Sequence, residues 1–265
     1  MQIQGKVALV TGGAQGLGYA FVQALLDKEA KVSFCDINAN QGEATLKQLA
    51  DKYGPDNVMF QRCDVTSQEE MEALFKATKE RYGQIDIVCN NAGTGGETYP
   101  QWEKVVDVNI KGMTRGSFIA FEYLRNDKGG NGGVIINISS AAGLSVNPMS
   151  PVYCATKTAI ISLTRSLAVN EDVQKCGIRI NALCPSFADT NLVKNISPFS
   201  LHDDEQTKSE NSAKVTKFLN FHGIMATETV AESFLELVTD ETKNGAVLRV
   251  SKGKGNEYCK IEVSV

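Results

Sequence analysis

The stretch Lys6-Val7-Ala8-Leu9-Val10-Thr11-Gly12-Gly13-Ala14-Gln15-Gly16-Leu17-Gly18 joins a short apolar run to a cluster of glycines, and a helical pattern follows over residues 18–27. An apolar run of that length, bounded by glycine, reads as a strand covered on both faces. Glycines are needed where the chain turns sharply and where backbone must approach a pyrophosphate closely. The helix that follows offers unpaired N–H groups and the positive end of its dipole to such phosphates. A glycine cluster alone is weak evidence, since any tight strand-to-helix turn can use one. Its place directly after the first strand gives it weight. Gly12, Gln15, Gly16, Leu17 and Gly18 are therefore the candidate phosphate-side residues.

Outward from this turn, β-branched runs alternate with longer helical patterns. Further strands are predicted at residues 30–36, 57–64, 85–90, 134–139, 178–184 and 246–250, with amphipathic stretches at 68–82, 102–124 and 151–175. This alternation predicts an α/β, doubly wound, seven-stranded parallel sheet of Rossmann type, with helices on both faces and right-handed crossovers. The glycines from Gly129 to Gly133 read as a tight connection into the fifth strand, and no linker divides the chain. A single domain over 1–265 is expected, with residues 1–140 mainly a cofactor-binding half and 141–265 the catalytic and substrate half. Residues 191–223 are polar, charged and interrupted by Pro198. A long insertion of this kind reads as a substrate lid.

Composition narrows the function classes. With 42% hydrophobic and 22% charged residues among 265, the chain matches ordinary globular proteins. The formal net charge of −4 and the lack of any Lys/Arg run argue against a nucleic-acid partner. No apolar run reaches the length of a membrane span, and the opening residues lack the pattern of a secretory signal. The seven cysteines (Cys35, Cys63, Cys89, Cys154, Cys176, Cys184 and Cys259) form no Cys-x-x-Cys pair. Reduced thiols in a cytoplasmic protein are expected. The two histidines, His202 and His222, lack partners at ligand spacing, so no metal is expected.

Asp36 closes the second predicted strand, 18 residues after Gly18. A carboxylate there accepts hydrogen bonds from adenosine ribose hydroxyls and repels the extra phosphate of NADP, which points to NAD. The neighbours Tyr19 and Ile37 supply no cation to hold that phosphate. The competing reading is that Asp36 only caps a loop. Asp64 and Val65, at the end of the third strand, could flank the adenine, although helix N-cap chemistry is the stronger competing reading.

Tyr153-Cys154-Ala155-Thr156-Lys157 opens the helical pattern after Ser150-Pro151, which fits an N-cap and first helical position. Tyr and Lys four apart share a helix face. A free phenol has a pKa of about 10, and a neighbouring ammonium favours its ionised form, giving a general base. Ser139-Ser140 closes the fifth strand, 13 residues before Tyr153 for the second serine; Asn90-Asn91-Ala92-Gly93 closes the fourth; Asn109 lies in the next helical pattern.

Taken with the glycine turn, these motifs resemble the short-chain dehydrogenase/reductase family over almost the entire chain. The resemblance implies that Tyr153 is the acid/base and that Lys157 lowers its pKa while holding the nicotinamide ribose. Ser140 would hydrogen-bond the substrate oxygen, and Asn109 would hold a proton-relaying water. Asn91, Ala92 and Gly93 would line the adenosine side, and Pro185 and Thr190 would grip the nicotinamide amide, with Ser186 replacing the usual glycine. Substrate contacts would come from Ser140, Ser150, Tyr153, Phe187 and His222. Within the family, Trp102-Glu103-Lys104, Pro151-Val152-Tyr153-Cys154-Ala155 and Asn244-Gly245-Ala246 are similar to an NAD-dependent branch that oxidises a hydroxyl on a lipid chain, such as a 15-hydroxyprostaglandin or a hydroxy fatty acid. A steroid, retinoid or sugar-alcohol dehydrogenase is the alternative, and an inactive NAD-sensing protein a further one. The resemblance also implies a homodimer or homotetramer, paired through the 102–124 and 151–175 helices. A surface or loop histidine is the stronger competing reading for His222. Phe199, Leu201, Phe218 and Phe221 could line a lipid pocket or anchor the lid.

Overall fold

A computed structural model describes residues 1–96, 101–196, 198, 199 and 205–261. The strands are β1 (Val7–Thr11), β2 (Lys31–Asp36), β3 (Val58–Arg62), β4 (Ile87–Asn90), β5 (Gly133–Ile138), β6 (Ile178–Pro185), β7 (Val247–Ser251) and β8 (Gly255–Tyr258). Their order in one sheet is β3-β2-β1-β4-β5-β6-β7-β8. The first seven run parallel, as expected, and β8 is an added antiparallel edge strand. The helices are α1 (Gly16–Leu26), α2 (Ala39–Tyr53), α3 (Gln68–Tyr82), α4 (Trp102–Val106), α5 (Met113–Leu124), α6 (Pro151–Ala168), α7 (Glu171–Lys175), α8 (Asn191–Lys194), α9 (Glu205–His222) and α10 (Thr227–Thr239).

Alternating side chains along each strand feed two cores, one per sheet face. Ala8 and Val10 of β1 pack with Phe21 and Leu25 of α1 and with Phe234 and Leu237 of α10. Leu9, between them in sequence, packs on the opposite face with Met71, Leu74 and Phe75 of α3 and Ile119 and Leu124 of α5. Helices on both faces explain why β1 and β4 carry no solvent-facing polar alternation.

Three boundaries differ from expectation, each for a local reason. β8 is exposed throughout, so it carries no buried-face signature. It is held instead by a hairpin at Gly255 (φ +66°) and by Tyr258 Oη and Asn256 Nδ2, both donating to the Glu236 carboxylate. The 102–124 pattern is not one α-helix, because a π-helical turn, Asp107–Gly112, separates α4 from α5. The 151–175 pattern ends at Ala168. Asn170 then caps the short α7, its side chain accepting from the N–H groups of Asp172 and Val173.

A buried polar network ties the layers together behind the strand ends. Asn90 Nδ2 donates to Asn137 Oδ1 (2.9 Å) and to Ser117 Oγ (3.2 Å), and Asn137 Nδ2 donates to Thr164 Oγ1 (3.0 Å). It links β4, β5, α5 and α6, the four elements that carry or flank the catalytic side chains.

Candidate active site

The glycine turn between β1 and α1 is built as its sequence demands. Gly12 (φ +64°) and Gly16 (φ +58°) occupy the left-handed region. At Gly18 a Cβ would stand 2.0 Å from the Gly12 carbonyl oxygen, so only glycine allows α1 to start this close to the turn. Gln15 occupies the N-cap position of α1 in extended backbone and makes no side-chain cap. The helix's first N–H groups therefore receive no capping side chain from it, which suits a phosphate. Leu17 is half-buried against the core.

Asn91 turns out to be part of the scaffold. Its Nδ2 donates to the carbonyls of Thr11 (2.9 Å) and Gly12 (3.0 Å), and its N–H and that of Ala92 both donate to Thr11 Oγ1. The side chain thus clasps the ends of β1 and β4, and Gly93 follows where a Cβ would meet Asn109 Oδ1 and Lys157 Nζ, each at 3.4 Å. Asp36, at the end of β2, accepts from Ala14 N (3.3 Å) and Asn38 N (3.1 Å) and is nearly buried. It does cap its loop, and in doing so it fixes a carboxylate beside the glycine turn. Asp64 does not cap α3. Its Oδ1 accepts from the N–H and hydroxyl of Thr66, while Ser67 is the cap, accepting from Glu70 N. Val65 packs over Gly112, and its carbonyl accepts from Arg115.

On α6, Pro151 stands in the first turn, Ser150 takes the N-cap position without a side-chain cap, and Tyr153 and Lys157 share one face. Lys157 is 3% exposed. Its Nζ lies 5.5 Å from the Tyr153 ring centre and donates to the Ile138 carbonyl at 2.9 Å. Burial lowers its pKa to about 8. Burial also raises the Cys184 thiol to about 12, so the thiol stays protonated. Ser139 Oγ donates to the Lys157 carbonyl, pinning α6 to β5. Ser140 Oγ accepts from Ala142 N and donates to the Pro185 carbonyl at 3.4 Å, which puts it at the mouth between β5 and β6.

Asn109 is fully buried on the π-helical turn. Its amide donates to the Thr94 carbonyl (2.9 Å) and Thr156 Oγ1 (3.2 Å), and its Oδ1 accepts from Thr94 N (2.8 Å). The Thr156 hydroxyl in turn donates to the Tyr153 carbonyl. Sequence reading missed Thr94 and Thr156, since only tertiary contact joins them to Asn109.

Beyond β6, Ser186 stands outside the left-handed region, and its N–H donates to the Val250 carbonyl, so the serine fits without strain. Phe187 and His222 meet: their ring centres lie 5.9 Å apart, and Phe218 stands 4.5 Å from His222. Phe221 is 85% exposed and so does not anchor the lid, whereas Phe199 is partly covered and its N–H donates to the Met149 carbonyl; Leu201 falls outside the described residues. Thr190 caps α8, and a Cβ on Gly16 would meet the Thr190 methyl at 3.2 Å. Ser140, Tyr153, Lys157, Asn109, Gly93 and Pro185 therefore gather at the carboxyl ends of β4, β5 and β6, while Gly12–Gly18 and Asp36 gather at those of β1 and β2. Among the described residues, no group of three or more His, Cys, Asp or Glu could hold a metal, and no helix is long and apolar enough to cross a membrane.

The family profile described as short chain dehydrogenase matches residues 6–200. The chain belongs to the short-chain dehydrogenase family. The prostaglandin dehydrogenase relatives match 97–100% of this chain. The mouse 15-hydroxyprostaglandin dehydrogenase [NAD(+)] is 35% identical over 264 residues, covering 100% of this chain and 96% of its own. The human 15-hydroxyprostaglandin dehydrogenase [NAD(+)] is 35% identical, covering 97% and 95%. A 3beta-hydroxysteroid dehydrogenase 2 from Eggerthella lenta is 34% identical over 72% of this chain and 74% of its own. Among solved structures, levodione reductase superposes with a TM-score of 0.81 at 28% identity, covering 95% of this chain and 98% of that one. Tyr153 and Lys157 on α6 and the glycine turn after β1 all lie within the stretch that this short-chain dehydrogenase profile matches.

Proposed function

We propose that the protein oxidises a secondary alcohol to a ketone with NAD, acting on an apolar or lipid substrate such as a 15-hydroxyprostaglandin or a hydroxy fatty acid. The observation that carries this reading is the buried Lys157 ammonium beside Tyr153, with no carboxylate partner among the described residues, at the crevice whose far end holds the glycine turn and Asp36. The turn at Gly12, Gly16 and Gly18 suits a pyrophosphate: a Cβ at Gly18 would strike the Gly12 carbonyl, so only glycine lets α1 start close behind the turn, with its first N–H groups uncapped by Gln15. Full-length identity to enzymes named for NAD and 15-hydroxyprostaglandin supports the cofactor and the substrate class.

In this mechanism Tyr153 Oη takes the carbinol hydroxyl proton, and Lys157 favours the phenolate by its charge. Ser140 Oγ, which turns toward the crevice mouth, donates to the carbinol oxygen. NAD, when bound, supplies the hydride acceptor. Lys157, with its pKa lowered to about 8, can release one ammonium proton outward and take up the proton from Tyr153 in its place, and Asn109 fixes the loop at Thr94 along that exit. Asp36 holds the ribose hydroxyls, Pro185 and Thr190 the nicotinamide side, and Gly93, Ala92 and Val65 the adenosine side. Phe187, His222 and Ser150 line the substrate end beside Tyr153. We further propose a cytoplasmic homodimer or homotetramer formed through α5 and α6.

The test is a spectrophotometric screen at the NADH absorbance band, using hydroxy-lipids, steroids and simple secondary alcohols with NAD and with NADP. Turnover of a hydroxy-lipid with NAD at the highest kcat/KM is the expected result; preference for a steroid would move the substrate to the alternative class, which the Eggerthella lenta relative supports.

A further inference from the structure

The segment that follows β6 reaches back across the crevice and touches the first turn of the molecule. Asn191 Nδ2 donates to Gln15 Oε1 at 2.9 Å, joining residues 176 apart in sequence. On one side of this bond the Thr190 methyl stands over Gly16; on the other, Leu192 Cδ1 stands 3.4 Å from where a Cβ on Gly95 would be. The start of α8 therefore spans from the glycine turn after β1 to the loop after β4, across the region between their carboxyl ends.

The root of this finger is fixed. Asp189 N donates to the Met225 carbonyl and Met225 N to the Phe187 carbonyl, with a parallel bridge between Ala188 and Met225. Lys194 pairs with Asp189 at 2.8 Å across the four-residue helix, which Thr190 caps. A stiff, rooted finger leaves its tip as the movable part, and among the described residues the tip is tied to the glycine turn by one exposed hydrogen bond. A bond of that kind is weak enough to open thermally and strong enough to bias the closed state.

We propose that Asn191 is a positioning residue: its amide latches the lid to the Gln15 side chain over the bound pyrophosphate, so that the cofactor leaves only when this bond breaks. The proposal rests on the NAD reading above. It assigns the Gln15 side chain to the lid, which accounts for its failure to cap α1. The latch couples the two halves of the chain, because the glycine turn then reports on lid position and the lid on cofactor occupancy.

The experiment follows NADH release from the full-length protein by stopped-flow fluorescence. In Asn191→Ala the dissociation rate should rise by about threefold to tenfold, the range expected for one lost exposed hydrogen bond. The exchange variant Gln15→Asn/Asn191→Gln moves one methylene from one side chain to the other, keeping the combined reach, and should bring the rate back to within about twofold of the wild type, a rescue that a merely structural role would not give. An unchanged rate in Asn191→Ala overturns the latch, as does an exchange variant as fast as the single one. Failure of the wild-type protein to bind NADH at all would instead remove the cofactor reading beneath it.

Discussion

Lys157 Nζ lies 5.5 Å from the centre of the Tyr153 ring, one helical turn away, and its hydrogen bond goes to a neutral carbonyl, that of Ile138. Among the described residues no carboxylate pairs with it. Burial without a counter-ion lowers its pKa to about 8 from an ordinary 10.5. The folded protein thus releases this proton more readily than the unfolded chain. Below pH 8 both states are protonated and the fold carries the full desolvation cost; between about 8 and 10.5 the cost fades as the pH rises. Lys157→Met should therefore be more stable than the wild type at pH 7, by about 1–3 kcal/mol. The advantage should shrink by pH 10, as urea denaturation at the two pH values will show. Activity should be lost in the same variant.

Tyr153→Phe removes only the phenolic oxygen. Turnover should fall by about a hundredfold to ten-thousandfold, the usual contribution of a positioned acid/base. Cofactor titration by fluorescence should show nearly unchanged affinity. Undiminished kcat would end the proposed mechanism.

Asp36 has two roles that a single substitution can separate. Its Oδ1 accepts from Asn38 N and its Oδ2 from Ala14 N, and only its charge opposes a ribose phosphate. Asp36→Asn keeps an acceptor for one of these bonds and drops the charge, so the kcat/KM ratio of NAD to NADP should fall by about tenfold or more. Asp36→Ala should add a stability loss of about 1–2 kcal/mol, seen as a lower melting temperature.

Gly18→Ala would set a methyl group 2.0 Å from the Gly12 oxygen. Either α1 shifts or the turn opens. A loss of about 1–3 kcal/mol in denaturation and much weaker cofactor binding are the expected outcomes. Gly83→Ala, at a helix end with open space around it, serves as the control for backbone strain alone.

Asn137 sits fully buried at the centre of the network joining Asn90, Ser117 and Thr164. Asn137→Ala removes one partner each from the Asn90 amide and the Ser117 and Thr164 hydroxyls in the core and should cost about 2–4 kcal/mol. Circular-dichroism melting will check it. A loss near zero would mean that the network relaxes onto water.

The seven parallel strands and α3 were legible because their signals are local. α3 runs from Gln68 to Tyr82, as its apolar periodicity predicts, since a capping serine and a terminal glycine bracket the pattern. The Tyr153–Lys157 pair was legible for the same reason, because spacing on one helix fixes a shared face. Other features carry no local mark. The π-helical turn at Asn109 interrupts a pattern that reads as continuous helix, and β8 has no buried side to betray it. Nor does any local pattern mark the grip of the Asn91 side chain on Thr11 and Gly12, residues 80 and 79 positions away.

The order of apolar and polar residues determined the fold class, the glycine turn and which side chains share a helix face, because these follow from backbone sterics and periodicity within short windows. The proton affinity of Lys157, the gathering of Asn109, Thr94 and Thr156, and the contact of Asn191 with Gln15 were decided only by the folded chain. Each depends on desolvation or on hydrogen bonds between segments that meet only when the sheet brings the ends of β1, β4, β5 and β6 side by side.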